Sequence, residues 1–259
     1  MRLAPRQYRY LEALGIEVYQ TRVRQDVKET GLTPVCGHEN MQVTGSGLPQ
    51  AGPGPEVVPG AAEAIATRQG DRVTHDWEAL QREVAGCRLC PLHEGRTQTV
   101  FGVGDVNADL MLIGEAPGAE EDRRGEPFVG RAGKLLDAML QALGLARQQV
   151  FIANILKCRP PNNRDPRPEE VLACENYLAQ QINTVKPRLI LALGRVAAQN
   201  LLKTETPIGK MRGKRFQYGD PPVPVVVTYH PAYLLRSPRE KRKSWQDLQL
   251  AMTIYKEQT

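Results

Sequence analysis

The chain of 259 residues is 41% hydrophobic and 24% charged, with 23 Gly and 20 Pro, an ordinary globular composition large enough for one sizeable core and an appendage. Its longest apolar runs, such as Leu189 to Leu193 and Val223 to Val227, fall far short of the roughly 18 residues that a membrane span needs, so no integral membrane protein is expected. The net charge of +5 is uneven: residues 1–76 hold 8 Lys and Arg against 9 Asp and Glu, whereas residues 77–259 hold 26 against 20.

Arg2, Arg6 and Arg9 precede no apolar stretch, and Glu12 and Glu17 interrupt the residues behind them. That is not the pattern of a secretory signal, and a cytoplasmic protein is expected. Gln7 to Arg24 offers a short amphipathic segment with Tyr8, Leu11, Leu14, Ile16, Val18 and Tyr19, too small to fold alone. Between Met41 and Gly60, nine of twenty residues are Gly or Pro, a density that neither a helix nor a central strand tolerates. The sequence therefore divides into an N-terminal amphipathic segment (1–40), a Gly/Pro-rich flexible linker (41–75) and a folded domain (76–259). The domain opens on Trp77, Leu80 and Val84 at helical spacing behind Asp76.

From Ala108 onward, compact apolar runs alternate with helical stretches. Leu110 to Ile113, Val150 to Ile155, Leu189 to Leu193 and Val223 to Thr228 read as strands, and Ala132 to Leu143, Pro168 to Val185, Arg195 to Leu202 and Arg239 to Tyr255 as helices. That alternation predicts an α/β fold with a mainly parallel sheet covered by helices on both faces. Ligands bind such folds beyond the carboxyl ends of the strands. Those ends carry Gly114 to Gly118, Asn154, Gly194-Arg195 and His230-Pro231, which predicts one shared cleft.

Several residues there invite a chemical reading. Five cysteines are an odd number, and a disulfide framework is not expected in a reducing compartment. Cys87 and Cys90 form a C-x2-C pair, while Cys158 and Cys174 lie far behind as a loose second pair. The spacing leaves zinc and an iron–sulfur cluster open. Cys36 lies by the linker and reads as a bystander. The glycines of the Gly114 to Gly118 turn would let backbone amides approach a phosphate or a base. Asn154 in an apolar strand is costly unless its amide finds partners, and an Asn amide pairs bidentately with a base edge. Basic clusters at Lys203, Lys210, Arg212, Lys214 and Arg215 and at Arg236, Arg239, Lys241, Arg242 and Lys243 favour a polyanion, nucleic acid before membrane.

Taken together, Gly114-Glu-Ala-Pro-Gly118, Pro127-Phe-Val-Gly130, Asn154-Ile-Leu-Lys-Cys-Arg-Pro-Pro-Asn-Asn163 and His230-Pro-Ala-Tyr-Leu-Leu235, framed by the four cysteines, resemble the family 4 uracil-DNA glycosylases over about Trp77 to Met252. The resemblance implies a three-layer α/β/α sandwich on a central four-stranded parallel sheet and a [4Fe-4S] cluster on Cys87, Cys90, Cys158 and Cys174. It implies an enzyme that flips uracil out of single- or double-stranded DNA and hydrolyses its glycosidic bond, leaving an abasic site for base excision repair. Phe128 would stack on the flipped base, Asn154 would read its edge, and His230 would donate to O2 as charge develops there. Gly114, Ala116 and Asn163 would line the pocket, and Lys210, Arg212, Lys214 and Arg236 would meet DNA phosphates. Better-known relatives carry an Asp and a Tyr where this chain has Ala116 and Gly118, so the attacking water must be oriented by another group. Glu115 and Glu121 are the available carboxylates, with Glu121 preferred. The alternative is a non-catalytic DNA-damage-binding module of the same fold.

Arg6 to Tyr19 also resembles, over little more than a dozen residues, the N-terminal peptide by which the psi subunit of the bacterial clamp loader holds chi. That implies a docking peptide for a replication partner, on an otherwise monomeric enzyme.

Overall fold

The computed structural model describes residues 76–257. The N-terminal segment and linker, with their expected docking role, lie outside the described residues. In chain order the strands are β1 (Val103–Gly104), β2 (Leu110–Gly114), β3 (Phe151–Asn154), β4 (Leu189–Leu193), β5 (Arg215–Tyr218) and β6 (Val223–Thr228). The helices are α1 (76–86), α2 (Leu92–Gly95), α3 (Ala119–Arg124), α4 (Arg131–Ala142), α5 (Pro168–Val185), α6 (Arg195–Leu201), α7 (Ile208–Met211), α8 (Pro231–Arg236) and α9 (Lys241–Glu257). None of the helices described is long and apolar enough to cross a membrane.

The sheet has six strands in the order β1-β3-β2-β4-β6-β5. The four expected strands form its parallel centre, and β1 and β5 add an antiparallel edge on each side. The expectation of four strands is thus extended by two short edges that carry no continuous apolar run. The central strands are buried along nearly their whole length, as a parallel sheet covered on both faces requires.

Alternate residues of each strand feed two separate cores, in keeping with the two-residue period of the pleat. Met111, Ile113, Phe151, Ala153, Ile190, Ala192, Val225 and Val227 pack on one side with α1, α5 and α6. Leu110, Leu112, Ile152, Leu189, Leu191 and Val226 pack on the other with α4, α8 and α9. The result is three layers. The four parallel strands all end on the same edge, so Gly114, Asn154, Gly194 and His230 emerge side by side above the sheet.

Candidate active site

The floor of the site is the exit of two neighbouring strands. Gly114 pairs in register with Asn154, and the ladder runs on past the strands, with Ile155 N donating to Gly114 O at 3.0 Å and Leu156 N to Glu115 O at 3.1 Å. This fixes Asn154 against the first turn. Asn154 is only 2% exposed, yet its side-chain amide makes no hydrogen bond to the described residues and instead lines a cleft of about 400 Å³. The amide thus opens onto the cleft, where its donors and acceptor are free for a ligand.

One wall is Phe128, held in a left-handed backbone conformation at φ 55° that a bulky residue rarely adopts. Three neighbours impose it. A Cβ on Gly133 would sit 1.7 Å from Phe128 O, so the chain can pass only because glycine is there. Glu121 Oε1 accepts from the amides of Val129 at 3.0 Å and Gly130 at 3.1 Å, pinning the residues just after Phe128 at the start of α4. Arg147 donates to Pro127 O on the other side. Glu121, the preferred carboxylate for orienting water, therefore has one oxygen committed to backbone.

The facing wall is His230, which caps α8 with Pro231 at the first helical position. Its Nδ1 accepts from Ala232 N at 3.1 Å, so in the neutral ring Nε2 carries the proton. Burial, with a smaller contribution from Arg236, pushes its pKa down to about 4, so the neutral ring prevails at physiological pH. The rings of Phe128 and His230 lie 5.5 Å apart at an interplanar angle of 29°. Gly194 makes room, since a Cβ there would lie 2.8 Å from His230 Cβ.

Glu115 enters from the first turn, half-buried in the cleft, and burial reinforced by nearby Asp165 pushes its pKa up to about 7 while Arg195 opposes the shift. Asp165 belongs to the loop of residues 159–167 and pairs with Arg195 at 2.5 Å. Asn163 lines the cleft from the same loop, with φ 52° and its Oδ1 accepting from Arg159 Nε at 2.8 Å. Ala116 and Gly118 complete the rim. The pairing of Asp165 with Arg195 was not legible in the sequence, because 30 residues separate them and both read as ordinary surface charge.

Behind the floor, Cys87, Cys90, Cys158 and Cys174 are free thiols that line one cavity with Leu89, Leu92 and Tyr177. Arg96 Nη1 donates to Cys158 Sγ at 3.1 Å and Lys157 N to Cys174 Sγ at 3.3 Å, contacts that suit sulfur in its anionic, metal-bound form. Burial pushes the Cys174 thiol up to about 11, and a bound metal would displace that proton. Among the described residues no group of three or more His, Cys, Asp or Glu is arranged to hold a single metal ion. Lys157, 1% exposed, lies between the cysteines and the cleft, with Nζ donating to Asn154 O at 2.9 Å and to Gln181 Oε1 at 2.6 Å. Burial pushes its pKa down to about 8.

Of the residues expected to meet DNA, Lys210 and Lys214 are exposed around α7, and Arg236 is exposed on the rim of the cleft. Arg212 is engaged elsewhere. Its Nε bonds the buried Asp247 at 2.7 Å, and its guanidinium lies 4.5 Å over the ring of Tyr229.

The model of the uracil DNA glycosylase superfamily matches residues 101–249. A type-4 uracil-DNA glycosylase of Archaeoglobus fulgidus is 49% identical over 167 residues, 62% of this chain and 83% of that protein. Its counterpart in Pyrobaculum aerophilum is 45% identical over 67% of this chain and 91% of its own length. That of Thermotoga maritima is 41% identical over 70% and 95%.

Proposed function

The chain belongs to the uracil-DNA glycosylase superfamily and excises uracil from DNA, and we propose that Phe128, Asn154, His230 and Glu115 carry the reaction within its cleft. The observation behind this reading is the amide of Asn154, without a hydrogen bond to the described residues, at the floor of a cleft walled by an aromatic ring and a neutral histidine. A duplex hides the glycosidic bond, so the nucleotide must leave the stack before any of these groups can reach it.

Phe128 offers the flipped base an apolar face, and the Asn154 amide, one acceptor and two donors, matches the alternating edge of uracil. As the C1′–N1 bond breaks, its electron pair leaves with the base and charge gathers on O2. The Nε2–H of His230 donates there without itself ionising, which lowers the barrier because the interaction strengthens in the transition state. The oxygen of water bonds to C1′ and its proton passes to a carboxylate. Glu115 suits this task better than Glu121, whose Oε1 already serves two amides. A raised pKa makes a carboxylate a stronger base near neutral pH. Lys210, Lys214 and Arg236 supply attraction to phosphates that is indifferent to sequence.

The four cysteines fit a [4Fe-4S] cluster: they line one cavity, and two of them, Cys158 and Cys174, receive N–H donors of the kind that thiolate ligands accept. Such a cluster would supply a covalent cross-link among α1, the exit of β3 and α5. Iron and sulfide in equal amounts in anaerobically purified protein would support that reading, and zinc without iron would refute it. Residues 1–40 are proposed as a docking peptide for a replication or clamp-loader protein on the tether of residues 41–75, the enzyme itself acting as a monomer on DNA in the cytoplasm. Support for docking is the amphipathic pattern of Arg6 to Tyr19. Removing residues 1–75 should leave excision from short oligonucleotides unchanged and abolish co-purification with the partner.

The reading of the cleft is tested by Asn154→Ala and His230→Ala. Each should slow single-turnover excision by about 10²- to 10³-fold, the usual cost of one transition-state donor, with little change in affinity for undamaged DNA. Equal losses in rate and affinity would make either residue structural.

A further inference from the structure

A lysine removed from water has to be held by several partners at once, because an ammonium without acceptors is far costlier inside a protein than an apolar side chain of the same size. Lys157 is among the largest fully buried side chains described, and every polar atom it has is engaged. Its Nζ donates to Asn154 O and Gln181 Oε1. Gln181, itself fully buried, passes the contact on, its Nε2 donating to Phe101 O at 2.9 Å. The main-chain amide of Lys157 donates to Cys174 Sγ, and its carbonyl accepts from Val100 N at 2.8 Å. Neither acceptor of the ammonium is a carboxylate.

One side chain thus reaches from the cysteine cavity to the peptide unit that carries the uracil-reading amide. Asn154 is the last residue of β3, and the peptide unit that follows it is held at both ends: Ile155 N donates to Gly114 O, and the carbonyl of Asn154 accepts from Lys157 Nζ. A tilt of that peptide swings the carboxamide in the cleft, and misplacement by about 1 Å can cost 10²-fold in rate.

We propose that Lys157 is a positioning residue that braces Asn154 against the cysteine site, so that the integrity of that site governs discrimination of uracil rather than grip on DNA. The proposal rests on the reading of Asn154 as the uracil reader and of the four cysteines as metal ligands. Phe101 and Gln181 form the far end of the same brace.

The test uses the full-length protein with its metal in place. Lys157→Met keeps the length of the side chain and removes its donors. Expected are an unchanged visible absorption spectrum and iron content, affinity for undamaged duplex within about twofold of the parent, and a single-turnover rate lower by about 10²-fold. The variant should also lose the preference of the parent for an oligonucleotide with a 2′-fluorinated, non-hydrolysable uracil nucleotide over the same strand with cytosine, whose N3 and 4-amino groups reverse the donors and acceptors that Asn154 reads, a binding readout independent of turnover. Gln181→Met should shift the same two quantities in the same direction, and Gln181→Glu, which keeps an acceptor for Nζ but loses the donor to Phe101 O, should recover part of each. A parental rate and preference in Lys157→Met overturns the proposal. So does a rate loss that merely tracks loss of iron. Should Lys157→Met fail to fold, Gln181→Met decides, and parental behaviour in it overturns the brace. Asn154→Ala run in parallel separates the two failures: if it keeps the preference for uracil, the reading of the cleft falls and the brace with it, whereas if it loses the preference and the Lys157 and Gln181 variants do not, only the brace falls.

Discussion

Gly114 and Asn154 face each other across adjacent parallel strands so closely that a Cβ on Gly114 would sit 2.4 Å from Asn154 Oδ1 and 2.7 Å from Phe128 Cζ. The glycine is there for space, since its φ is ordinary while the side chains that read and stack the base occupy the volume a methyl group would need. Gly114→Ala should therefore displace both groups at once. The expected result is a loss of about 10²-fold or more in single-turnover excision with binding to undamaged DNA retained. A rate near that of the parent would mean that the pocket yields to the methyl group and that Asn154 needs no fixed place.

Glu121 is expected to act through Phe128. Glu121→Ala frees the amides of Val129 and Gly130 and removes charge-assisted hydrogen bonds worth about 1.5–3 kcal/mol each, so thermal unfolding should come earlier and excision should slow. Glu121→Gln keeps an acceptor and should lose less than about tenfold, one hydrogen bond to a neutral partner being worth roughly 1 kcal/mol. If the glutamine variant is as slow as the alanine variant in single turnover, the carboxylate itself takes part in the chemistry and the water-orienting role returns to Glu121.

The pH dependence separates the two titrating groups of the cleft. Burial and Asp165 hold Glu115 near 7, so below that pH it is protonated and accepts no proton from water. Excision should then rise with pH through about 7 and level off, and Glu115→Gln should be slow and flat over the same range. His230, held near 4, is already neutral and should add no limb between pH 5 and 8. The sign for stability is the reverse of the usual carboxylate case. The folded state holds the Glu115 proton more tightly than the unfolded chain does, so this group weakens the fold as pH climbs from 4.5 to 7. Glu115→Gln should be more stable than the parent above pH 7 and indistinguishable from it below 4.5, as measured by thermal melts.

Arg212 and its basic neighbours should part company. Lys210→Ala and Lys214→Ala should each reduce the slope of log affinity for DNA against log salt, by about 0.9 for each phosphate no longer neutralised, with unchanged melting temperature. Arg212→Ala leaves Asp247, 1% exposed, without its cation, and breaking a buried pair in this way costs about 3–5 kcal/mol. Its salt slope should match that of the parent. A lower slope with intact stability would return Arg212 to the DNA-binding surface.

Much of this molecule was legible in the sequence because its signals are local. The central strands are unbroken apolar runs, α5 begins with Pro168 and ends at Val185 as its pattern predicts, and the polar residues of the cleft lie at strand ends where polarity interrupts an apolar run. The edge strands were not legible in advance. β1 is two residues long beside glycines, and β5, Arg-Phe-Gln-Tyr, does alternate between exposed and half-buried, but Arg215 reads as part of a basic cluster. The roles of Glu121, Arg212 and Lys157 were hidden for a different reason. Each depends on a partner brought near only by folding, 35 residues away for Arg212 and 24 for Lys157, and for Glu121 on backbone amides that carry no sequence signal. A lysine before a cysteine reads as surface charge until the sheet closes over it.

The central claim is that this cleft removes uracil and spares cytosine, whose edge presents the opposite donors and acceptors to Asn154. The direct measurement is a single-turnover incubation with two oligonucleotides that differ only in carrying uracil or cytosine at one position, with alkaline cleavage of abasic sites as the readout. The account predicts a break at the uracil and an intact cytosine strand, with the uracil signal falling by about 10²- to 10³-fold in Asn154→Ala. Intact uracil strands, or equal cleavage of both, would contradict it.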